Sequence, residues 1–84
     1  MSEITGIEAL RQAIELLGTQ SAAASAIGIK QQTVSEVLRA GRRVPAEWCI
    51  PIDRATTELG KRVSCHQLRP DLWPAEFEPD RVAA

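Results

Sequence analysis

No apolar run in the chain is long enough to cross a bilayer, and its first residues lack the basic start and apolar middle of a secretory signal. The default location is therefore the cytoplasm. Cysteine is limited to Cys49 and Cys65, which in that compartment are expected as reduced thiols. With His66 they make only three potential metal ligands, without a Cys-x-x-Cys or a His pair, and adjacent Cys65 and His66 would point to different faces of a helix. We expect no metal, a buried thiol at Cys49 and a surface histidine at a helix start. A glycine-rich phosphate loop and paired carboxylates in an evident pocket are also missing, and 84 residues leave little chain with which to build a catalytic cleft. Neither an enzyme nor a cofactor is expected.

A strong charge bias is lacking too. Ten Lys and Arg face eleven Asp and Glu, for a formal net charge of -1. The distribution is more telling than the total. Residues 1–69 carry nine basic and seven acidic side chains, whereas residues 70–84 carry one arginine and four acids. A nucleic acid responds to the local patch, so the weakly basic body remains compatible with DNA binding.

Helical punctuation is abundant. Thr5-Gly6-Ile7-Glu8 has the form of a capping box, and Ile7, Leu10, Ile14 and Leu17 then share one face up to Gly18, which is placed as a C-terminal cap. Thr19 can cap a short Ala-rich helix from Gln20 to Ile27. Gly28 suits a tight turn, Ile29 seals that turn inward, and another helix runs from about Gln31 to Ala40, ending at Gly41. Pro45 looks like the first position of a fourth helix, from about Ala46 to Leu59, with Trp48, Ile52 and Ala55 inward. Pro51 is expected to bend or split it, with irregularity near Cys49. Ser64-Cys65-His66-Gln67 repeats the capping-box form and opens a last short helix through Leu68, stopped by Pro70. The boundary of the folded domain is set at residues 1–74, with 75–84 as an acidic, loosely ordered tail. With no convincing strand, the fold class is all-α: an orthogonal bundle of about five short helices, its core only just large enough to fold alone.

Within this bundle, Gln20 to Leu38 has the pattern of a helix-turn-helix. Val34, Val37 and Leu38 form the buried stripe of its second helix, leaving Gln31, Gln32, Ser35, Glu36 and Arg39 on the opposite arc at about 100° per residue. A solvated face is the plain reading of such an arc. Two adjacent glutamines in the first turn, flanked by lysine and arginine, favour DNA, because glutamine can pair bidentately with adenine N6 and N7. Gln31 and Gln32 are the candidates for direct readout, with Ser35 a weaker one. Glu36 has three readings: an acceptor for cytosine N4, a repeller of phosphate, or an ion-pair partner. Lys30, Arg39, Arg42 and Arg43 suit phosphates, as do the backbone N–H groups around Gln20 at a helix start.

These residues resemble the helix-turn-helix of the phage lambda repressor and Cro superfamily, with Ala24 at the close helix crossing, Gly28 at the turn, and Val34 and Val37 at buried positions. The Gln31-Gln32 pair is similar to the base-reading glutamines of phage 434-type repressors. Arg43-Val44-Pro45-Ala46-Glu47, Gly60-Lys61-Arg62-Val63 and Leu68-Arg69-Pro70-Asp71-Leu72-Trp73-Pro74 resemble more narrowly the YdaS-like, Cro-type regulators of prophages. The resemblance covers about residues 7–74. It implies a lambda repressor-like fold and a homodimeric regulator of a palindromic operator in double-stranded DNA, in some loci a toxin–antitoxin component. Trp48, Pro51 and the acidic tail depart from the pattern.

The Leu68–Pro74 segment has two readings: Leu68, Leu72 and Trp73 close the open end of the core, or they meet a second subunit. The resemblance favours the dimer, with Trp48, Leu68, Leu72 and Trp73 as candidate interface residues. The alternative function is a protein-interaction module, an antirepressor or antitoxin-like partner, suggested by the near-neutral total charge and the acidic tail.

Overall fold

Residue Gly6 has φ 61° and ψ -130°, and its N–H donates to the Gln67 carbonyl at 2.8 Å. That left-handed backbone is cheap only for glycine and ties the start of the chain to its last helix. In the computed structural model, which describes residues 5–41 and 43–79, α1 (Ile7–Leu17) begins directly after it. No side chain caps α1, so the expected Thr5 capping box does not form: Gly6, not Thr5, is the N-cap. Ala9, Leu10 and Ala13 are its buried residues, with Ile7, Ile14 and Leu16 packed at their margin. The apolar face is thus turned slightly from the Ile7–Leu17 stripe, because small Ala9 and Ala13 let neighbouring helices approach.

Helix α2 (Gln20–Ile27) is capped as expected, Thr19 Oγ1 accepting from the Ala22 N–H at 3.0 Å. Ala23 and Ala24 are buried where it meets its neighbours. Gly28 adopts φ 90°, and the N–H groups of Gly28 and Ile29 both donate to the Ala24 carbonyl, at 2.8 and 2.9 Å. This closes α2 and redirects the chain into α3 (Gln31–Ala40), which Gly41 ends in the left-handed conformation. Val34 is fully buried, while Val37 and Leu38 are half-buried against the core.

Helix α4 (Ala46–Glu58) starts one residue after Pro45, which is its N-cap, and runs unbroken through Pro51. The split expected there is absent. Proline at this point removes only the bond to the carbonyl of Glu47, an exposed residue that water reaches, so the helix loses one hydrogen bond without leaving a dry orphan. Trp48, Cys49 and Ile52 enter the core beside Leu10, Val34, Val44, Val63 and Leu68. Ala55 is only half-buried, and the deeper residues of the next turn are Asp53 and Thr56.

Asp53 is 1% exposed and accepts four hydrogen bonds. Arg62 forks onto it, Nε to Oδ1 at 2.7 Å and Nη2 to Oδ2 at 2.9 Å, while Thr57 Oγ1 and the Cys65 N–H complete the set. Burial pushes the Asp53 carboxyl upward, but the Arg62 fork and the Cys65 N–H outweigh it and hold the group below its ordinary value. Thr56 Oγ1 donates to the Ile52 carbonyl and accepts from the Val63 N–H. These bonds place the Lys61–Val63 connector and deliver the chain into α5 (Cys65–Leu68). There the Ser64 and Gln67 side chains form the complete capping box.

Beyond α5 the chain does not leave the bundle at Pro74. Phe77 packs on the core, its ring 5.9 Å from that of Trp73, and its carbonyl accepts from Arg62 Nη2 at 2.6 Å. Up to Pro79 the described part of the expected tail is therefore held by an aromatic residue and by the arginine that also serves Asp53. Residues 80–84 lie outside the described residues. Five helices and no strand occur among the described residues, as an all-α lambda repressor-like bundle requires.

Candidate nucleic-acid interface

Helices α2 and α3 meet as a helix-turn-helix, and one polar bond crosses between them. Ser35 Oγ on α3 donates to Gln20 Oε1 at the start of α2. Both side chains are half-buried. Ser35 therefore sits at the edge of the reading arc with its proton engaged, and its bond orients Gln20, whose amide nitrogen is left as a donor. Thr19 already occupies the Ala22 N–H, which narrows the α2 backbone donors suggested for phosphate to the first two residues of the helix.

Lys30, Gln31, Gln32, Glu36 and Arg39 are all exposed. Among the described residues none of the five has a side-chain hydrogen bond or an ion pair. Glu36, for which an ion-pair partner is one of three readings, forms no ion pair with Arg39. Lys30 is the N-cap of α3 and provides no side-chain cap, so the first turn of the helix, with both glutamines, faces solvent with its backbone donors unclaimed by side chains. Thr33, to which the helix pattern alone assigns no role, is exposed on the same helix and lines a groove of about 350 Å³ with Glu36, Val37, Ala40, Arg43 and Pro45. Its place three residues before Glu36 was the signal that could have found it.

Arg43 stands on the Glu36 side of α3 in that groove, and Arg42 lies outside the described residues. Arg43 Nη1 is 3.5 Å from Asp71 Oδ2, with its side chain 78% exposed. Of the other basic residues, Arg62 belongs to the Asp53 network, and Arg69 bonds to Asp71 and to the Val44 carbonyl.

The four candidate interface residues separate. Trp48 is 2% exposed and Leu68 fully buried, both within the chain's own core. Leu72 is 48% exposed, and Trp73 is half-buried beside Phe77. Cys49 and Cys65 are both buried free thiols, each pushed up to about 12 chiefly by burial, so they are protonated at neutral pH. Burial was expected of Cys49; that of Cys65 follows from its place at the start of α5 against the core. His66 is half-buried rather than on the surface, its Nδ1 2.9 Å from the Trp73 carbonyl. Among the described residues no group of three His, Cys, Asp or Glu stands together as a metal site. No helix among them is long and apolar enough to cross a membrane.

The crossed helices, glycine turn and exposed second helix define a lambda repressor-like helix-turn-helix protein. The chain belongs to the YdaS toxin family: residues 10–76 match the family described as "Bacterial toxin YdaS". It is 39% identical over 62 residues to a protein of Escherichia coli (strain K12) named as the candidate transcriptional regulator YdaS, an alignment covering 74% of this chain and 60% of that protein. The chain thus spans about three fifths of the length of that curated relative. A solved structure, the Cro protein from the candidate prophage element Xfaso 1 in Xylella fastidiosa strain Ann-1, is 43% identical with a TM-score of 0.68. That match covers 80% of this chain and 97% of that one.

Proposed function

We propose that this protein is a sequence-specific DNA-binding transcriptional regulator, a Cro-like repressor of a phage or prophage operator. The observation that carries this reading is the α3 arc. Among the described residues, the side chains of Gln31, Gln32, Glu36 and Arg39 project without hydrogen-bond or ion-pair partners from a helix whose opposite side is anchored by buried Val34. In the proposed complex α3 enters the major groove and Gln31 and Gln32 read base edges, with Ser35 and Glu36 as secondary readers. Lys30, Arg39, Arg42, Arg43 and Gln20 hold phosphates. The chain acts in the cytoplasm, without catalysis. Both the name of the Escherichia coli relative and that of the Xylella structure support a regulatory role.

The operator is read by a homodimer, which places two copies of α3 about 34–36 Å apart on a palindromic site. A dimer compensates for a single short reading helix on a weakly basic domain. Leu72 and the outer part of Trp73 are the proposed contact, supported from beneath by Leu68 and Trp48. The test is salt-titrated binding to DNA flanking the protein's own gene, with mass measured by light scattering. A sequence-selective complex of two chains per site is expected. A dimer with no selective complex at moderate salt would instead favour the protein-interaction module, the reading nearer to the toxin description of the family.

A further inference from the structure

The acid in the Leu68–Pro74 segment stands between two arginines that hold it very differently. Arg69 grips it as a fork, Nε 2.9 Å from Oδ1 and Nη2 2.8 Å from Oδ2 of Asp71. The remaining nitrogen, Nη1, donates to the Val44 carbonyl at 2.9 Å, one residue past Arg43. The Arg69 side chain is only 15% exposed. Asp71 is thereby fastened to the backbone of the loop that leaves α3. Arg43 approaches from the solvent side and makes one contact of 3.5 Å, to an oxygen that Arg69 already occupies.

A guanidinium with a single long contact to a doubly bound carboxylate is easily withdrawn, and a phosphate offers it the same kind of charged oxygen with room for a full fork. Arg43 also lines the groove that Glu36 and Thr33 flank, which sets it beside the reading helix. We propose that Asp71 is a resident competitor for the phosphate that Arg43 binds: its carboxylate occupies the place of a phosphate oxygen, orienting Arg43 while partly neutralising it. The proposal rests on the DNA-binding reading. Phosphate contacts carry no direct sequence information, so Asp71 weakens binding to every DNA alike and leaves the preference between sequences unchanged. Arg69 is the positioning residue that keeps the competitor in place.

The experiment is a double-mutant cycle on the full chain, with Asp71→Asn, Arg43→Ala and the combination. Binding is measured to the DNA flanking the gene and to an unrelated duplex of equal length. Asp71→Asn is expected to tighten both by about twofold to fivefold, the range of an exposed ion pair, and to change neither in the Arg43→Ala background. Tightening that persists without Arg43, or that is confined to one duplex, overturns the proposal. So does an Asp71→Asn variant that melts like wild type and gains nothing. A second readout needs no change at Asp71. Its carboxyl carbon resonance should move when DNA is added to the wild type and stay in place in Arg43→Ala; a resonance unmoved in the wild type overturns the proposal. A wild type that binds neither duplex at low salt removes the DNA reading and this inference together, whereas binding without coupling removes this inference alone.

Discussion

Charge is treated in opposite ways on the two sides of this bundle. On α4 and the connector beyond it, Asp53 is sealed from water and holds Arg62, Thr57 and the Cys65 N–H, so three segments of chain converge on one carboxylate. On α3 and its N-cap, the side chains of Lys30, Gln31, Gln32, Glu36 and Arg39 stand in water with no hydrogen bond or ion pair among the described residues. The difference separates two uses of a polar side chain. A charge enclosed by partners fixes the fold, and its loss is felt as instability. A polar row held out by a rigid apolar back has no structural task, and changing it should leave the fold alone while altering what the surface recognises.

The largest effect that could break this contrast is on the Asp53 side. Asp53→Ala leaves the Arg62 fork and the Cys65 N–H without their carboxylate acceptor, while Thr57 keeps its bond to the residue 53 carbonyl, and removing one partner of a buried pair costs about 3–5 kcal/mol. With a third of the Arg62 side chain open to water, the lower end applies. A domain of this length is stable by roughly 0.05–0.15 kcal/mol per residue, so that loss is a large fraction of the whole. Urea titration followed by circular dichroism should show a collapsed midpoint for Asp53→Ala and an unchanged one for Gln31→Ala and Gln32→Ala. Equal midpoints would abolish the contrast.

Next in size are the glutamines themselves. Each bidentate base contact discriminates by about 1–3 kcal/mol, so Gln31→Ala or Gln32→Ala should lose that much on the preferred site and little on sites altered at the contacted base. Binding to a set of single-base variants of the operator checks this. Uniform loss across the set would move the glutamines from reading to anchoring.

A pH titration separates the two sides again. Asp53 has a folded value below 3.8, so the stability it adds is fully present above pH 3.8 and is lost as pH falls through the lower folded value. The thiols have the opposite sign. Cys49 and Cys65 rise from 9.0 to about 12 on folding, so their contribution is intact below pH 9.0 and is lost as pH climbs toward 12. Thermal melts across pH should fall at both extremes, and a thiol reagent at pH 8 should label neither cysteine until the chain is unfolded. Rapid native labelling would show that the core opens more readily than its burial implies.

The reading side was legible in the sequence because its signals are local. Thr19, Gly28 and Gly41 punctuate α2 and α3, and the Val34, Val37, Leu38 stripe faces inward with a period that neighbours on one helix suffice to define. The Asp53 side was not, because Asp53 and Arg62 are nine residues apart and only the turn after α4 brings them together. Phe77 was hidden for the same reason: in an acidic, proline-containing stretch one aromatic is a weak signal until Trp73 and Arg62 are seen to hold it. Thr5 misled because a capping box depends on backbone dihedrals, and the docking of Gly6 on Gln67 set them otherwise.

The smallest expected effect is at the seam between the two regimes. The Ser35 hydroxyl is bonded inside the fold, to Gln20, yet lies at the edge of the exposed arc. Ser35→Ala removes one hydrogen bond, whose net worth is about 0.5–1.5 kcal/mol, and because Gln20 is half-buried water can satisfy its carbonyl, which favours the low end. A small drop in urea midpoint is thus expected, far less than for Asp53→Ala. The DNA readout decides which side of the molecule Ser35 belongs to. If its task is to orient Gln20 toward a phosphate, Ser35→Ala weakens binding to all sequences by the same factor and Gln20→Ala adds little to it. If Ser35 reads a base, the loss falls on one position of the operator, and the Gln20 change adds independently.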